Sequence, residues 1–88
     1  MANWQSTIKL NPEWDQCRDD KITRQELAAS IARKLTALRP INDDGVEERR
    51  QELADAFEDM SRDETLSEDE FNGMMSDLYD WGDYALDG

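Results

Sequence analysis

Between residues 23 and 40 the chain places Leu27, Ile31, Leu35 and Leu38 at steps of four, four and three. That spacing lays the four side chains along one narrow stripe, so the segment predicts an amphipathic helix facing a core. Thr23 stands at its start with Glu26 three residues on, the pattern of a capping box, and Pro40 ends it. A second stripe follows: Val46, Leu53, Phe57 and Met60 share one face of a helix predicted over about 46–60, with Asp44 as cap and Glu47 three residues on. A third joins Phe71, Met74, Met75 and Leu78 on a helix predicted to begin at Ser67, with Glu70 in the box position and Asp69, Asp77 and Asp80 turned outward. The end, "DWGDYALDG", sets Trp81 and Tyr84 beside Gly82, where the helix is expected to break.

Ahead of these stripes, "NPEW" predicts a short helix with Asn11 as N-cap and Pro12 in the first turn, ending near Asp19 or Asp20. Residues 4–10, "WQSTIKL", alternate weakly and could be extended. No linker or low-complexity tract divides the 88 residues, which supply a single core. The expected fold is all-α: one domain over residues 1–88, a bundle of three main helices behind a short helix and an extended segment.

Two stretches 44 residues apart, "DQCRDDKITRQEL" at 15–27 and "DMSRDETLSEDEF" at 59–71, resemble each other. Both place carboxylates where a calcium loop of the EF-hand family has its ligands: Asp15 or Asp59 first, Asp19 or Asp63 fifth, Glu26 or Glu70 twelfth. An apolar residue, Ile22 or Leu66, holds the eighth position. The departures are serious. The sixth position, which needs a left-handed backbone, holds Asp20 or Glu64 rather than Gly, and the third holds Cys17 or Ser61, poor ligands for a hard cation. Two capping boxes explain much of the same pattern without a metal, and no metal ligand is assigned.

Charge changes the picture most. The net charge is −12, and residues 1–39 carry seven Lys/Arg against five Asp/Glu, whereas residues 40–88 carry three against seventeen. A field of one sign over half of a small domain repels nucleic acid and anionic membranes and speeds encounter with basic surfaces. The expected partner is therefore a basic protein surface, with no direct nucleic acid and no membrane. Apolar residues are 38% and charged residues 36%, near the border with disorder, and the helical periodicity argues that the chain folds. One cysteine excludes an intramolecular disulfide, and no apolar run nears the roughly 20 residues a membrane span needs. "MANWQSTIKL" lacks the apolar stretch of a signal peptide, so a cytoplasmic location is expected.

The chain contains no histidine, which removes the usual general base near neutral pH, and nothing stands ready to activate Cys17. Its four glycines are scattered and make no phosphate-cradling loop. No enzyme, catalytic residue or cofactor is expected, and Cys17 reads as a half-buried residue of the short helix. The carboxylates are more informative. Glu48, Glu52, Asp55 and Asp59 fall at steps of four, three and four, a single row opposite the apolar stripe. With Asp77, Asp80 and Asp83 they form the candidate partner-binding set. Trp4, Trp14, Tyr79, Trp81 and Tyr84 are many aromatic residues for this length. Two or three are expected to complete the core against Phe57 and Phe71, while Trp81 and Tyr84, in the acidic run "LYDWGDY", are candidate contact anchors.

The combination of "NWQSTIKL", "KITRQELAASIARKLTALRP" and "LYDWGDYALDG" resembles small acidic proteins carried by phages and prophages. That group includes inhibitors of host defence, anti-CRISPR proteins among them, and some are acidic DNA mimics. The resemblance implies an inhibitor or modulator of a host nucleic-acid enzyme and transfers no functional residues. The expectation is a non-enzymatic acidic binding protein. An EF-hand-like calcium-binding module and a small phage structural or assembly protein stand as alternatives.

Overall fold

A computed structural model describes residues 10–38 and 43–85 of the chain. The extended segment expected in front, Trp4 and the stop at Pro40 lie outside these residues. Four helices follow one another: α1 (Leu10–Arg18), α2 (Arg24–Ala37), α3 (Asp44–Ser61) and α4 (Glu68–Ala85). The described residues contain no strand, and the arrangement is the small all-α bundle that the three stripes call for.

The helix starts follow local chemistry. Thr23 takes an extended backbone (φ −83°, ψ 163°), its Oγ1 accepts from Glu26 N–H at 3.0 Å, and Glu26 Oε1 accepts from Thr23 N–H at 3.2 Å. This reciprocal pair satisfies two donors that the first turn of a helix leaves open. At α4 the Ser67 Oγ accepts from Glu70 N–H at 3.1 Å, and Glu68, Asp69 and Glu70 set negative charge in the first turn, where the helix dipole favours it.

Three boundaries differ from expectation. The cap of α3 is Asp43, not Asp44: its Oδ1 accepts from Val46 N–H at 3.1 Å, and Asp44 is already helical. Glu47 is thereby released from a capping box and pairs with Arg50 instead. Helix α1 begins at Leu10, so Asn11 lies inside it rather than capping it. Pro12 is the third helical residue, still within the turn whose N–H groups have no intrahelical acceptor, so its missing donor costs nothing. Leu10 is wholly buried, which outweighs its place at the end of a weakly alternating run. Finally, α4 does not open at Gly82 but continues to Ala85, because Trp81 and Gly82 are both buried against the bundle.

The core is built from the predicted stripes. Leu27, Ile31 and Leu35 of α2, Leu53 and Phe57 of α3, and Phe71, Met75 and Leu78 of α4 are buried together, with Leu38, Met60 and Met74 packed at the edge. Each fully buried aliphatic or aromatic side chain contributes roughly 1.5–3 kcal/mol relative to exposure. Trp14 of α1 stacks on Phe71, ring centroids 5.6 Å apart, and a Lys34–Glu13 ion pair joins α1 to α2. Helices α2 and α3 lie along each other over the longest contact, with α4 packed on α3 and α1 on α2.

Candidate functional site

Helix α3 buries Val46, Leu53 and Phe57 on one side, and the same 3.6-residue period turns Glu48, Glu52, Asp55 and Asp59 into solvent on the other. From Glu48 to Asp59 the row spans about 16 Å, at 1.5 Å per residue. Arg49 interrupts it at one point: Nη1 lies 3.0 Å from Glu52 and Nη2 lies 3.8 Å from Asp77 of α4. Glu48, Asp55 and Asp59 make no ion pair with another described residue. Arg49 therefore ties one α4 carboxylate to the α3 row and leaves most of the row's charge uncompensated.

Of the α4 set, Asp77 is the one tied to this row through Arg49. Asp77, Asp80 and Asp83 are all exposed, but at about 100° per residue Asp80 and Asp83 turn progressively away from Asp77. Asp83 acts instead on Tyr79: burial pushes the half-buried Tyr79 phenol above its usual range, and the charges of Asp15 and Asp83 push it further. The carboxylates tied together are thus the ridge of Glu48, Glu52, Asp55, Asp59 and Asp77, with Asp80 and Asp83 stepping round α4 from Asp77.

The aromatic candidates divide as well. Trp81 is 7% exposed, and its Nε1–H donates to the Val46 carbonyl at 3.1 Å. It is a core residue that ties the end of α4 to the start of α3, and the expectation of a surface anchor at Trp81 is corrected. The amphipathic indole explains the outcome: its ring fills the core while its one donor finds a carbonyl near a helix start. Tyr84 is 73% exposed, the one large hydrophobic side chain so placed among the described residues.

One buried charge escaped the reading of the sequence. Arg50 is 8% exposed, donates from Nη1 to the Leu35 carbonyl at 2.6 Å, and pairs with Glu47 through Nε at 3.0 and 3.1 Å. A signal was present. The α3 stripe jumps seven residues from Val46 to Leu53, and Arg50 fills that gap at steps of four and three. A cation in an apolar stripe beside the carbonyl end of a neighbouring helix meets the negative pole of that helix dipole.

The paired stretches at 15–27 and 59–71 act as helix ends. Glu26 is engaged by the Thr23 N–H, and Asp63 Oδ1 accepts from Thr65 N–H at 2.9 Å and Thr65 Oγ1 at 2.7 Å. Among the described residues, no three His, Cys, Asp or Glu side chains converge as a metal site. No described helix is long and apolar enough to cross a membrane. Cys17 is half-buried, and burial raises its thiol above the usual range, with Arg24 pulling down and Asp20 pushing up.

Comparison with family models, with curated proteins and with solved structures returns no match to this chain.

Proposed function

We propose that the protein is a non-enzymatic binding protein that docks its acidic ridge on the basic surface of a nucleic-acid-handling protein and inhibits or modulates it. The observation that carries this reading is the α3 row. Glu48, Glu52, Asp55 and Asp59 are exposed on successive turns, and among the described residues only Glu52 of the four has an ion-pair partner. Like charges at i,i+3 and i,i+4 oppose helix formation by a few tenths of a kcal/mol per pair. A row held against that cost, about 5–6 Å between neighbouring side chains, suits a cleft lined with Lys and Arg to receive phosphates. Asp77 widens the ridge through Arg49, and exposed Tyr84 supplies the aromatic anchor. Asp80 and Asp83 contribute to long-range steering rather than to the contact. Together with the resemblance to phage-carried acidic proteins, this reading places the partner in a bacterial host and the protein among host-defence inhibitors of the DNA-mimic or anti-CRISPR type.

The test is capture from bacterial lysate on the tagged protein, eluted by a salt gradient and compared with a variant carrying Glu48→Gln, Glu52→Gln, Asp55→Asn and Asp59→Asn. A nucleic-acid-binding protein released at moderate salt from the parent and lost from the variant is the expected result, with the variant's far-UV circular dichroism unchanged. Equal capture by the two proteins, or retention through high salt, overturns the acidic-ridge reading.

A further inference from the structure

Away from the ridge, the end of α1, the first turn of α2 and the first turn of α4 enclose an open cleft of about 320 Å³. Its walls include the Trp14 and Phe71 rings, Cys17, Arg18 and Arg24. Arg49, Arg50 and Arg62 each hold a carboxylate, whereas Arg18 and Arg24, like Arg33 elsewhere on α2, make no ion pair with a described residue, although the chain has 22 Asp and Glu. Arg24 Nε is also the one buried side-chain polar atom without a hydrogen-bond partner among the described residues. Its Nη2 reaches the Leu66 carbonyl only at 3.5 Å. A buried donor without an acceptor carries a desolvation penalty, and the planar fork of a guanidinium is shaped to take both oxygens of a carboxylate.

We propose that this cleft is a binding site for a monocarboxylate with a flat apolar body, its carboxylate on Arg24 and Arg18 and its body against the Trp14–Phe71 stack. Asp20 and Glu68 line the same cleft, and with the net charge of −12 they disfavour a multiply charged anion such as phosphate. The volume lies at the small end of ligand sites and matches a single-ring compound. The aromatic floor favours a planar body over an acetate-sized one.

Sodium benzoate is the probe, added to the full chain at constant ionic strength and followed by NMR at the Arg24 Nε–H and Trp14 Nε1–H resonances. Saturable shifts at both are expected. Benzamide, which has the ring without the charge, is expected to bind at least about tenfold more weakly, as the loss of a charge-assisted pair implies. Arg24→Gln should abolish the saturable shift at Trp14, and Arg24→Lys, which keeps the charge without the planar edge, should weaken it about tenfold or more. Far-UV circular dichroism checks that each variant is folded. The proposal is overturned by an absence of saturation with benzoate, by equal affinity for benzamide, or by a folded Arg24→Lys protein that binds as the parent does.

Discussion

The turn between α1 and α2 and the turn between α3 and α4 are spelled almost alike, 44 residues apart, yet they reverse the chain by different means. The first is a Schellman ending: Lys21 N–H donates to the Gln16 carbonyl at 2.8 Å and Asp20 N–H to the Cys17 carbonyl at 3.2 Å. Asp20 takes the left-handed conformation, φ 60°, at the place where glycine is usual. The second has no left-handed non-glycine residue. Arg62 closes α3 with a right-handed backbone (φ −103°, ψ −4°), and the Asp63 carboxylate then folds over Thr65. The start of α2 meets the second turn: Gln25 Nε2–H donates to the Asp63 carbonyl at 3.0 Å. The difference teaches that one sequence pattern specifies a helix start, at Thr23 and at Ser67, while leaving the preceding helix free to stop as its packing requires.

Packing is where the two turns diverge furthest, and it sets the largest expected effect. Leu66 is 5% exposed and belongs to the core, whereas its counterpart Ile22 is only half-buried beside it. Leu66→Ala should destabilise the protein by about 2–4 kcal/mol and Ile22→Ala by about half as much, measured by urea unfolding. Equal losses would show that the two turns are packed alike. Next come the caps, where the turns are alike. Thr23→Ala and Ser67→Ala should each cost about 1 kcal/mol, and a difference much beyond 1 kcal/mol between them would break the equivalence of the two starts.

What the sequence revealed follows the same division. Stripes and caps are local, so four helices, the apolar faces of the last three and the exposure of the α3 row were readable from spacing alone. Asp43 displacing Asp44 was not, since either aspartate can cap and the choice depends on where Val46 docks. The grouping of acids was not readable either, because the side of α4 that meets α3 is set by Arg49–Asp77 and Trp81–Val46, contacts across 28 and 35 residues. Trp81 illustrates the limit. An indole in an acidic run is written the same way whether it anchors a partner or closes its own bundle.

The backbone of Asp20 offers a smaller and more pointed test. A non-glycine residue in the left-handed region carries a steric cost that glycine avoids, offset in part by glycine's greater unfolded-state freedom. Asp20→Gly should therefore stabilise the protein by about 0.5 kcal/mol, whereas Glu64→Gly, at the matching place in the second turn, should cost a similar amount. A gain at both positions would mean that the turns share one conformation.

The smallest effect concerns Asp63, whose carboxylate folds the second turn, where a left-handed residue folds the first. The Thr65 hydroxyl, and after it the Thr65 N–H, hold the Asp63 carboxyl below the usual aspartate range. A depressed folded-state value stabilises the folded protein above the unfolded-state pKa, and the contribution fades as pH falls through the folded one, which places the window below about pH 4. Thr65→Val removes the first of the two donors and leaves the backbone one. The Asp63 titration, followed by carboxyl carbon NMR, should then move upward part of the way toward an ordinary aspartate. An unmoved titration would show that the hydroxyl does not hold the turn. The second reversal would then rest on its backbone bonds and on Gln25, as the first rests on its Schellman pair.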